Sequence, residues 1–108
     1  MSGRKPSARP GEISVADFDF LDGSVEVARL WVENRGQSTC LIQPDRLADP
    51  EMFGMLLVDA VRHGAKAFSQ SHGIAEDEAL DRIWQGVEME RDDPTSPVET
   101  VQNYKKPN

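Results

Sequence analysis

DPEMFGMLLVDAVRHGAKAFSQSHGI, the run from Asp49 to Ile74, carries the signals that decide the fold. Asp49 belongs to the residue types that cap a helix by accepting hydrogen bonds from first-turn amides. Pro50 falls at the first helical position, where its missing N–H costs nothing, and Glu51 complements the positive end of the helix dipole. Apolar or small residues then recur at Phe53, Leu56, Leu57, Ala60, Val61, Gly64, Ala67 and Phe68, which is helical spacing. Gly73 supplies the left-handed residue that ends such a helix, and Ile74 beyond it can fold back on the last turn. The apolar arc is wide: at about 100° per residue it runs from Leu56 through Phe53, Leu57 and Val61 to Ala65 and Val58. Met55 lies outside it.

A second helix follows from about Glu76 to Asp92, with Ala79, Leu80, Ile83, Trp84 and Val87 as its stripe. Glu76, Asp77 and Glu78 favour its start, and Pro94 stops it. Upstream, Val25 to Glu33 reads as a strand, with Val25, Val27 and Trp31 on one face and Ala28, Leu30 and Val32 on the other. Asn34-Arg35-Gly36 is a turn, because Asn and Gly tolerate the positive φ of tight hairpin loops. Gln37 to Gln43 returns through Thr39, Cys40, Leu41 and Ile42 until Pro44. The alternation Asp17-Phe18-Asp19-Phe20 within Ile13–Leu21 offers a third, N-terminal strand, which Asp22-Gly23 interrupts at once.

The first helix at roughly 1.5 Å per residue and the Val25–Glu33 strand at roughly 3.3 Å per residue are both about 30 Å long, so they can lie along one another. The expected product is a two-layer α+β domain over residues 13–93: a β-hairpin covered by an antiparallel pair of helices. Gly54, Gly64 and Gly86 inside helices each cost about 1 kcal/mol against Ala, and close backbone approach would explain them. Residues 1–12 are expected to form a disordered basic tail and residues 94–108 a flexible one, since neither holds enough apolar surface to offset its ordering entropy.

The charge narrows the function classes. Nineteen acids against twelve bases give −7, which argues against nucleic acid and anionic membranes as partners. No apolar run approaches the eighteen or so residues of a membrane span, and the start Met1-Ser2-Gly3-Arg4-Lys5-Pro6 lacks the apolar core of a secretory signal. A lone Cys40 makes no internal disulfide and suits the cytoplasm. The charge is also local: residues 76–93 hold eight acids against Arg82 and Arg91.

Candidate sites are few. Asp59 and His63 stand one helical turn apart, a pairing that can orient an imidazole or bind a metal or small molecule. No nucleophile lies near them in sequence and His72 falls on nearly the opposite side, so a boundary histidine beside an aspartate is the weightier reading. Glu88, Glu90, Asp92 and Asp93 cluster at the end of the second helix, without the loop pattern of an EF-hand. A solvated acidic interaction surface suits them better than a metal site. Trp31, Trp84 and Phe68 read as core aromatics, and Cys40 as a small buried hydrophobe. Met55 and Met89 lie off their stripes as partner-contact residues. No cofactor, metal or catalytic set is expected.

Surplus apolar surface on the first helix and on both faces of the first strand points to a homodimer in which strand or sheet surfaces meet. The expected function is therefore a non-enzymatic protein-interaction or adaptor module whose partners are a second copy and another protein. Ligand or metal binding, or a minor enzymatic activity, at Asp59 and His63 is the alternative.

Val25-Glu26-Val27-Ala28-Arg29-Leu30-Trp31-Val32, Asp49-Pro50-Glu51-Met52-Phe53-Gly54, Asp59-Ala60-Val61-Arg62-His63, Ile83-Trp84 through Glu90 and Asp93-Pro94-Thr95 together resemble a small bacterial family known as domain of unknown function 5076. The resemblance spans about two-thirds of the chain. It implies a compact domain of strands and helices and brings no catalytic or binding residue with it.

Overall fold

Asp49 does what its residue type suggests: its Oδ1 accepts from the Met52 amide at 2.9 Å, opening helix α1 at Pro50–His72. At the far end Gly73 takes a left-handed φ of 70° and donates its N–H to the Ser69 carbonyl, while the Ser69 hydroxyl donates to the Ile74 carbonyl at 2.7 Å. That closure turns the chain within three residues into helix α2, Glu76–Asp92. The computed structural model describes residues 9–34, 36–95 and 97–98. The greater part of both expected tails, residues 1–8 and 99–108, lies outside them, as does Arg35 of the turn.

Ahead of α1 stands an antiparallel hairpin of β1, Ala28–Val32, and β2, Ser38–Ile42. Gly36 sits at φ 93° in its turn, where the Glu33 amide donates to the Gln37 carbonyl at 2.7 Å. β1 is shorter than the expected Val25–Glu33, although the Gln43 amide extends the pairing by donating to the Val27 carbonyl. A short 3-10 turn over Pro44–Arg46 leads to α1.

Among the described residues the sheet has two strands. The third strand offered by Ile13–Leu21 is instead a turn followed by a 3-10 helix at Asp19–Gly23. Local carbonyls take up the Phe18, Leu21 and Ser24 amides, which bond to Val15, Phe18 and Leu21 as turns do. Phe18 and Phe20 meet edge to face at 5.6 Å and remain exposed.

The α+β content, the hairpin and the helix pair match the sequence. The two pairs pack internally: α1 meets α2 and β1 meets β2, and no strand Cα lies within 8 Å of a helix Cα. The helix pair is tightest where small residues face, with Ala65 and Ala79 buried and Ile83 Cδ1 at 3.5 Å from the position a Cβ on Gly64 would occupy. The close approach expected at Gly54 and Gly86 is not found within the chain, because a Cβ at either would meet nothing within 4 Å. No helix among the described residues is long and apolar enough to cross a membrane.

Candidate functional site

The hairpin register sorts its side chains by face. Ala28 opposite Ile42, Leu30 opposite Cys40 and Val32 opposite Ser38 share one side, whereas Arg29 opposite Leu41 and Trp31 opposite Thr39 share the other. The Trp31 side is half-buried, as are Thr39 and Leu41. Arg29 on that side is anchored by Glu26 at 2.8 Å and Glu12 at 3.0 Å. The Glu26 carboxylate, by hydrogen bond and then by charge, holds the Arg29 guanidinium above its ordinary range; desolvation offsets part of this, and Glu12 adds smaller contributions. The opposite side is open: Leu30 is 68% and Val32 73% exposed. Cys40 belongs to this open side and is exposed, which corrects its reading as a buried hydrophobe. An apolar neighbourhood along a strand buries a side chain only if a second layer covers that face.

The N-terminal half of α1 exposes apolar side chains around most of its circumference. Met52, Met55, Leu56, Leu57 and Val58 are all exposed, Met55 most of all at 68%. On α2, Val87 and Met89 are exposed as well, so both methionines expected at a partner surface are accessible. Among the described residues the buried ones are Ala65 and Ala79 alone. Of the three aromatics expected in a core, Trp31 and Trp84 are half-buried, and Phe68 is exposed beside His72 with ring centroids 5.0 Å apart.

Asp59 and His63 share a flank of α1 as their spacing requires, and both are exposed. Neither lines either of two shallow concavities among the described residues. One of these, about 370 Å³, lies between Ile42, Leu47, Pro50 and Phe53 where β2 hands over to α1. The other, about 220 Å³, lies beside Glu26, Arg29 and Arg46. Among the described residues no group of three or more His, Cys, Asp or Glu side chains is arranged to hold a metal.

Glu88, Glu90, Asp92 and Asp93 are exposed at the end of α2. Glu90 is engaged with the exit turn, accepting from the Thr95 amide at 2.8 Å and the Thr95 hydroxyl at 3.0 Å. Arg82, a candidate to neutralise this end, reaches Glu78 in the preceding turn at 3.4 Å instead. Acids at a helix C-terminus oppose the dipole, so this end of α2 is a concentrated negative surface.

Comparison with known proteins agrees with this architecture. A solved structure described as "a putative pyruvate dehydrogenase from the photosynthetic bacterium Rhodopseudomonas palustrus CGA009" is similar at 33% identity, over 95% of this chain and 99% of that one, with a TM-score of 0.60. No curated protein matches the chain. A family described as "Domain of unknown function (DUF5076)" matches residues 17–95, taking in the hairpin, both helices and the turns between them. The chain belongs to that family.

Proposed function

We propose that the chain is a non-enzymatic protein-interaction module that works in the cytoplasm as a homodimer and offers the acidic end of α2 to a further protein. The observation that carries this reading is the imbalance of burial. Among the described residues the buried ones are two alanines, while Leu30, Val32, Met55, Leu56, Leu57 and Val58 stand in solvent. Burying such a side chain fully is worth about 1.5–3 kcal/mol, so leaving this many unused forgoes most of a small domain's stability. Isolated two-stranded hairpins are marginal in water and need a layer against one face. A second copy supplies that layer without any other gene product.

The name carried by the Rhodopseudomonas protein favours dehydrogenase chemistry there. In this chain Asp59, His63 and the carboxylates at the end of α2 are exposed, whereas catalytic acids and bases take their tuned pKa values from burial and close charge partners. The exposed carboxylates of α2 support electrostatic capture of a basic surface instead.

Dimerisation coupled to folding makes stability depend on protein concentration. The thermal midpoint, followed by circular dichroism over about a hundredfold range of concentration, is expected to rise with concentration. A constant midpoint contradicts the dimer. For the acidic end, Glu88→Lys with Asp92→Lys is expected to abolish capture of proteins retained by the wild-type chain. Identical capture by both removes α2 from the account.

A further inference from the structure

We infer, on the basis of the homodimer reading above, that the open hairpin face of each copy is covered by the N-terminal half of α1 of the other. The two surfaces match. The open strand face spans five residues, about 17 Å at roughly 3.4 Å per residue. Residues 50–60 of α1 span about the same length at 1.5 Å per residue. Both surfaces carry exposed apolar side chains: Leu30, Val32 and Cys40 on the hairpin, and Met52, Met55 and Val58 on the helix, where Glu51 and Asp59 stand among them.

The two surfaces do not meet within one copy, since no strand Cα comes within 8 Å of a helix Cα. The connection holds them apart. It is a 3-10 turn over Pro44–Arg46, whose Arg46 guanidinium is tied back to the Glu26 carbonyl ahead of β1. A two-fold axis makes each contact occur twice, hairpin on helix and helix on hairpin, so both surfaces are satisfied in a closed pair. Pairing hairpin face against hairpin face would leave both copies of α1 uncovered.

Five apolar side chains on the two surfaces (Leu30, Val32, Met52, Met55 and Val58) average a little over half exposed. At on the order of 100 Å² each, they offer roughly 300 Å². A standard interface of about 800 Å² per partner is a little over half apolar, roughly 450 Å². The half-buried Ala28 and Ile42 on the hairpin narrow the difference.

Cys40 on the open face makes the arrangement testable with single-cysteine chains, because the sequence has no other cysteine. The wild-type chain, carrying only Cys40, is mixed with a size-tagged chain carrying Cys40→Ser and one of Met52→Cys, Met55→Cys or Val58→Cys. The mixture is exchanged by dilution and mildly oxidised, so any mixed disulfide is necessarily between copies. Cysteines must come within about 7 Å between Cα atoms to bridge, which is why three α1 positions are sampled. At least one is expected to give the mixed covalent dimer about tenfold faster than a Cys40→Ser, Gln70→Cys control on the C-terminal half of α1, as raised effective concentration requires. Dominant Cys40–Cys40 linkage, or no preference over Gln70→Cys, overturns the seat while the dimer stands. A light-scattering mass of one chain before oxidation overturns the homodimer reading itself.

Discussion

Gly73 and Gly64 are the same residue type used for opposite reasons. Gly73 holds φ at 70°, a conformation that costs an ordinary L-residue about 1–2 kcal/mol. Gly73→Ala is therefore expected to lower unfolding stability by about that amount in urea titrations. Gly64 lies in helical backbone, and a Cβ there would rest at 3.5 Å from Ile83 Cδ1, an ordinary contact. Gly64→Ala is expected to raise stability by up to about 1 kcal/mol through helix propensity. Asp49→Ala, which removes the cap on the Met52 amide, is expected to cost about 1 kcal/mol by the same measurement. These positions were legible in sequence because caps and helix ends are local chemistry: Asp49, Pro50 and Gly73 act within a turn of themselves. Cys40 was not legible. Its strand neighbours are apolar, and nothing in them states whether a second layer lies over that face.

At the scale of elements, α1 matches the sequence because a long apolar period with a cap at one end and a glycine at the other has few alternatives, and α2 because its stripe runs between an acidic first turn and Pro94. The N-terminal segment differs because its alternation lasts only from Asp17 to Phe20. Leu21-Asp22-Gly23 then supplies turn chemistry, and the local bonds of a 3-10 helix take the place of strand pairing. The cover of the hairpin was half legible: periodicity marks Leu30 and Val32 as wanting burial, yet it cannot say whether that burial comes from within the chain. Two variants separate the internal packing from the open faces. Ile83→Ala loosens α1 against α2 and, as a half-buried site, is expected to cost on the order of 1–2 kcal/mol, below the range for full burial. Leu30→Glu with Val32→Glu charges the open face and is expected to abolish self-association, lowering the thermal midpoint and removing its dependence on concentration.

For the whole molecule, charge and apolar surface divide the labour. The eight acids of residues 76–93 make the second helix and its exit turn the charged pole, all of them exposed, with Glu78 paired to Arg82 and Glu90 engaged by Thr95. The apolar pole lies on the open hairpin face and the start of α1, where the side chains that should build a core are exposed. The candidate Asp59–His63 pair sits between these poles, exposed and outside both shallow concavities, and it draws no function from its surroundings. The central claim is that the two apolar surfaces are completed by a second copy. Light scattering on the eluting peak at micromolar concentration tests it most directly. The account expects a mass twice the 12.0 kDa of one chain; a peak at the mass of a single chain would contradict it.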